Sequence, residues 1–262
     1  MQALAYDACL PHLPVMLHTR RHVDSFCMLL ESNPDTVGPR IRTLWVVASI
    51  RANLEYELGQ TILRRCTRIT HMACNINLLK ALVFSESSTA FAHHDLKDLT
   101  LIEPVIPWVL LLSYPAGHQL FGQLTHLRTN GSTKFDFPNF IFSALTHLSF
   151  SCHQLPSDTM FDATRFPVLQ QIVPSLPYMF CRTSNAAVLG VTGRAIDSRI
   201  DVIACPKKWK EADVWEKARR EGKGLWTSAR SGEYLQESRA FTQEPPRWDY
   251  DDFDDIGGES GL

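Results

Sequence analysis

Histidine, cysteine and carboxylate side chains are where chemistry would begin in this chain. His71, His126 and His147 occupy the same position in three similar short segments, which invites a zinc reading. Zinc takes four ligands in tetrahedral array, and no cysteine or carboxylate is spaced to complete a set with these three. No metal and no other cofactor is expected. His71 with Cys74, or Cys152 with His153, would be thiol–base pairs. A nucleophile needs its base within hydrogen-bond reach and a third group to orient it. In a strand Cys152 and His153 point to opposite faces, so structural thiols are expected. Asp95 and Asp98 lack the apolar surroundings that would raise a pKa for acid–base work. Gly190-Val-Thr-Gly193 has the spacing of neither common phosphate-binding loop, and no GxSxG or HExxH occurs. The expectation is that the chain is not an enzyme.

The elements that would position these residues form a ladder. Six segments align: Ile41–Val46, Ile69–Cys74, Leu96–Leu101, Leu124–Thr129, Leu145–Phe150 and Leu169–Pro174. Each has an aliphatic or similar apolar residue at positions one and four, and most have one at position six. Their starts differ by 28, 27, 28, 21 and 24 residues, and two share Leu-Thr-His-Leu. That is the LxxLxL pattern at leucine-rich-repeat spacing, in which no single repeat can bury its own apolar face. The expected fold is α/β: a short, irregular leucine-rich-repeat-like solenoid with a parallel sheet on one face and helices or loops on the other. Positions one, four and six should point inward, and the others outward.

The connections support this. Leu54, Leu58, Ile62 and Cys66 have helical spacing, and Trp108–Leu112 with His118–Phe121 reads as a helix broken near Pro115. Phe135, Phe137, Phe140 and Phe142 should fill the interior where no helix is expected. Ala187–Val191 and Ile200–Ala204 read as further strands. The expected organisation is a helical cap over 1–40, the solenoid over 41–206, an amphipathic helical cap over 207–242 with Trp226 packing nearby, and an acidic disordered tail over 243–262. Residues 207–223 carry seven basic and four acidic residues, the pattern of a solvated helix laced with ion pairs.

On the ladder's outward face, third positions read Thr43, His71, Asp98, His126, His147 and Gln171, and fifth positions read Trp45, Ala73, Thr100, Arg128, Ser149 and Val173. Trp45, His71, Asp98, His126, Arg128 and His147 are therefore the candidate partner-binding residues, since exposed Trp and Arg among polar groups mark interfaces.

Bulk properties agree with a binding module. The 262 residues are 45% hydrophobic and 21% charged with a formal net charge of −2. A near-neutral chain does not suit nucleic acid. The longest apolar run, Pro104–Leu112, is too short for a bilayer, so no membrane partner is expected. Seven cysteines without a CxxC pair, and an opening that lacks a signal-peptide pattern, fit a cytoplasmic or nuclear location.

The chain resembles the F-box-associated, leucine-rich-repeat-like proteins expanded in mushroom-forming fungi. The residues that carry the resemblance are VDSFCMLLESNP from Val23, IRTLWV from Ile41, LKDLTLIEP from Leu96, the two LTHL segments, and RIDVI with WKEADVWEKARREGKGLW towards the end. It spans roughly residues 10–230. It implies a protein-interaction module that recognises substrates for a cullin-type ubiquitin ligase. In that family an F-box binds an Skp-type adaptor. Here only some 20 residues precede the first helix, so the F-box is expected to be truncated or missing and adaptor binding is doubtful.

Overall fold

The computed structural model describes residues 9–47, 52–84, 93–102, 106–130, 140–151, 165–176, 197–205, 210–222 and 224–231. Among these described residues eight strands form one sheet in chain order, every neighbouring pair parallel. They are β1 (Val15–Leu17), β2 (Thr43–Val46), β3 (His71–Cys74), β4 (Asp98–Leu101), β5 (His126–Thr129), β6 (His147–Ser151), β7 (Gln171–Leu176) and β8 (Ile203–Ala204). The helices are α1 (Arg20–Ser32), α2 (Ala52–Arg65), α3 (Ile76–Val83), α4 (Trp108–Leu112), α5 (Pro115–Gln123), α6 (Glu211–Glu221) and α7 (Leu225–Ser231).

The six aligned segments supply β2 to β7 in one unbroken register. Leu44, Met72, Leu99, Leu127, Leu148 and Ile172 stand side by side, and Ile200 continues the row by a bridge to Ile172. All seven are fully buried. The approach to several strands is the same local turn. The amide nitrogens of Ile41, Leu96, Leu145, Leu169 and Ile200 each donate to the carbonyl three residues earlier. At β3 to β7 two successive amides share one carbonyl just ahead of the previous strand, as Thr70 and His71 share that of Arg42. The repeat is therefore one of backbone hydrogen bonding as well as of side chains.

Helices α1 to α5 cover the leucine face. Phe26 and Leu30 of α1, Ile62 of α2, Leu79 of α3, Leu111 of α4 and Phe121 of α5 join the strands in one core. Helix α1 starts where Thr19 accepts from the His22 amide, and α3 where Asn75 accepts from that of Leu78, each relieving an orphan donor of the first turn. Pro115 opens α5, where its missing N–H costs nothing. Beyond α5, aromatic rings among the described residues extend the core: Phe142 stacks on Phe166 at 5.2 Å, and both are buried. Phe140 packs against the same core. Phe135, Phe137 and Ala187–Val191 lie outside the described residues, as do Cys152, His153 and the expected tail over 243–262.

Two features depart from the sequence expectation. The segment before residue 40 is not wholly helical, because β1 adds a strand whose Val15 pairs with Leu44. And the C-terminal helix does not cap an end of the ladder. Helices α6 and α7 lie across the second face of the sheet, so the sheet is covered on both sides by helices, the usual state of parallel sheets.

Candidate functional site

The candidate residues do share one face. Pairing places Thr43, His71, Asp98, His126, His147 and Gln171 in one row and Trp45, Ala73, Thr100, Arg128, Ser149 and Val173 in the next. Their expected exposure is wrong. Trp45 is 3% exposed, Asp98 6% and Arg128 6%, and His71, His126 and His147 are half-buried. The reason is the cover. A helix with one apolar and ion-pairing stripe has found the face that the ladder leaves to solvent.

Three residues of α6, each four apart, make the attachment. Glu211 accepts from Arg128 at 2.7 Å. The Trp215 ring meets Trp45 edge to face with centroids 5.4 Å apart. Arg219 donates to Asp98 at 2.6 Å and also lies over the Trp215 ring. Spacing of four keeps all three on one side of a helix. The opposite side carries the exposed Glu216–Arg220 pair, so the ion-paired, solvated helix read from the sequence accounts for half of α6. Acidic residues in its first turn and Arg219 with Arg220 in its last suit the helix dipole. Gly222, at φ 68°, ends it in the left-handed conformation that glycine adopts without strain.

Past that turn, α7 covers the far strands. Leu225 and Ala229 pack on Val173 and Ile203. Trp226 presents its ring edge-on to His126 at 5.5 Å and His147 at 5.4 Å, and its carbonyl accepts from Gln171. The expectation that Trp226 packs near the C-terminal helix is met in this form.

The histidines have a repeated second partner. Thr70, Thr125 and Thr146 each donate their hydroxyl to the carbonyl just ahead of the previous strand. Each also lies within 2.9 Å of the next histidine's Nδ1. A hydroxyl has one proton. Where that proton goes to the carbonyl, the contact requires a proton on Nδ1, and Nε2 is then the basic nitrogen. His126 and His147 stack face to face, 4.2 Å apart at 9°. Burial pushes His71 down to about 4, with Arg219 adding to the effect, and burial lowers His126 as well. His71 and His126 are therefore neutral at ordinary pH.

A cavity of about 220 Å³ remains between cover and sheet, walled by Asp98, Thr100, Arg128, Glu211, Arg219 and Trp226 among others. Its four charged groups are engaged in the two ion pairs described. No group of three or more potential metal ligands occurs among the described residues. His71 and Cys74 are on opposite faces: Cys74 belongs to the leucine-side core. The thiols of Cys27 and Cys66 are pushed up to about 11 and about 12, first by burial, so both stay protonated. Asp95 is held at the surface by Arg42, 3.5 Å away. No helix among the described residues is long and apolar enough to cross a membrane.

Sequence reasoning missed Glu211, Arg219 and Trp226 as partners of the face. Their signal was available: an acid, an indole and an arginine at i, i+4 and i+8 complement an arginine, an indole and an acid on the strands. No protein-family model, curated protein or solved structure matches this chain.

Proposed function

We propose that this chain is a short leucine-rich-repeat-like solenoid that works as a protein-interaction module, with the strand face of Trp45, His71, Asp98, His126, Arg128 and His147 as its binding surface. One observation carries the reading: that face already holds two helices in the manner of an interface. An aromatic anchor sits beside desolvated ion pairs and a polar cavity, which is how partner surfaces are built. The leucine side, by contrast, is filled with aliphatic and aromatic groups. By resemblance the module would recognise substrates for a cullin-type ubiquitin ligase. We read it as a binding protein and not a catalyst, because the candidate reactive groups are spent on each other.

The test is affinity purification from native cells with the full chain and two sets of variants. Partners lost on Asp98→Ala or His147→Ala, and kept on Met28→Ser or Val109→Ser on the exposed helical side, support the face. The reverse pattern would move the binding surface to the helices. An Skp-type adaptor among the retained proteins would support the ligase link, and its absence would break it.

A further inference from the structure

The interface beneath α6 and α7 is built unlike the rest of the molecule. The leucine side is continuous: its inward row is fully buried from β2 to β7 and its neighbours interlock. The cover side is incompletely satisfied. Among the described residues the indole Nε1 of Trp45, the indole Nε1 of Trp215 and the Nε of Arg219 have no hydrogen-bond partner, although each atom is buried. A buried donor without a partner costs about 1–3 kcal/mol. The cavity of about 220 Å³ lies in the same place, where a filled core would have side chains. The attachment of α6 relies on two ion pairs and one indole pair from three residues at i, i+4 and i+8. Desolvated ion pairs do little for net stability, because burial of the charges offsets their attraction, but they discriminate strongly between matched and mismatched partners.

We propose that α6 and α7 are an intramolecular ligand, bound reversibly to the strand face, and that the face's external partner is an amphipathic helix carrying the same stripe. That stripe is a carboxylate, an indole or similar large aromatic four residues on, and an arginine four further. This deepens the proposed function and rests on it. The chemistry of the partner follows from what it must replace. Arg128 and Asp98 sit on adjacent strands in successive rows, and each demands the opposite charge once uncovered. Trp45 demands a ring, and the neighbouring Ala73 leaves room for one. The charge order fixes direction as well: the acidic end of the helix lies over β5 and the basic end over β4. A helix laid in reverse would set Glu against Asp98 and Arg against Arg128, and like charges in a desolvated site are strongly repelled. The chain would pass between a covered and an engaged state, its balance set by the difference in affinity of the two helices for the same surface.

Two measurements on the full chain test this. In the first, a fluorescent peptide of residues 210–231 is titrated into the wild-type chain and into the Arg219→Glu chain, whose own cover meets Asp98 with like charge. We expect the peptide to bind the variant at least tenfold more tightly than the wild type, and a peptide with Trp215→Ala to bind neither. A variant chain that keeps its far-ultraviolet spectrum yet fails to bind the peptide overturns the proposal. The second uses the unaltered protein. Native-state hydrogen exchange should show α6 and α7 amides opening at least tenfold more often than those of β3 to β6. Exchange of cover and sheet as one cooperative unit overturns it, whether or not the variant folds. Peptide binding without any face-dependent partner in cells would leave the intramolecular ligand standing and remove the proposed function. Face-dependent partners without peptide binding would do the opposite.

Discussion

The indole of Trp215 meets the indole of Trp45 edge to face at 5.4 Å, joining the C-terminal helix to the second strand of the sheet. Both rings are nearly inaccessible to solvent. Edge-to-face aromatic pairs contribute about 0.5–1.5 kcal/mol beyond the area they bury. Replacing either indole by alanine should destabilise the cover by about 3 kcal/mol, at the low end for core aromatics because the site retains a cavity. A double-mutant cycle over Trp45→Phe and Trp215→Phe should return a coupling of about 1 kcal/mol in urea unfolding. Additive effects would mean the rings merely coexist.

The Asp98–Arg219 pair should behave as a unit. Side chains of both are largely shielded, at 8% and 18% exposure. Arg219→Ala leaves the Asp98 carboxylate buried without its partner and should cost about 3 kcal/mol, since breaking a buried pair is worse than lacking one. Adding Asp98→Ala to that variant should recover part of the loss. Thermal denaturation of the two single variants and the double variant distinguishes this from simple additivity, which would mark the pair as solvent-screened.

The ladder was legible and the cover was not, for a physical reason. Leu44, Met72, Leu99, Leu127, Leu148 and Ile172 recur every 21 to 28 residues because each rung must meet its neighbours, so the pattern is written along the chain. The cover is written once. Arg128 and Glu211, or Asp98 and Arg219, are related by complementarity across a long stretch of chain, and no periodicity records that. Apolar spacing alone puts Ala212, Trp215 and Ala218 on the inner stripe of α6. Trp215 is indeed buried, yet the neighbouring Glu211 and Arg219 looked like solvated charge until Arg128 and Asp98 stood opposite them. The same blindness hid β1: three residues after a proline carry no period, and only pairing with Leu44 makes them a strand. Helix α3 was missed although Asn75 caps it, because the cap directly follows a strand residue and leaves no loop to announce a new element.

Two glycines of α5 should respond oppositely to alanine. A Cβ on Gly117 would run into the backbone carbonyl of Leu111, where α4 and α5 approach closely. Backbone cannot step aside cheaply, so Gly117→Ala should destabilise by about 2 kcal/mol. A Cβ on Gly122 meets nothing within 4 Å. In a helix alanine is favoured over glycine by roughly 0.5–1 kcal/mol, so Gly122→Ala should raise the denaturation midpoint. A matching loss at both positions would refute the close approach of the two helices.

Acid should weaken the fold well above the carboxylate range. Burial pushes His71 and His93 down to about 4 and lowers His126, while the unfolded chain holds its histidines near 6.5. For a base with a depressed folded pKa, both states are neutral above 6.5 and the group contributes nothing there. As pH falls from 6.5 towards 4 the unfolded state takes up protons that the folded state refuses, so stability drops. Each such histidine adds a slope of at most about 1.4 kcal/mol per pH unit. Asp197 does not share this window: its pKa is held down by the Arg199 guanidinium, so its stabilising effect persists until pH falls into the carboxylate range. Urea midpoints at pH 7.5, 6.0 and 5.0 should therefore decline steadily. His71→Gln should flatten the decline, because glutamine has no proton to gain. If the midpoints stay level to pH 5, or if His71→Gln leaves the slope unchanged, the histidine row titrates as freely as it would in water and the cover does not shield it.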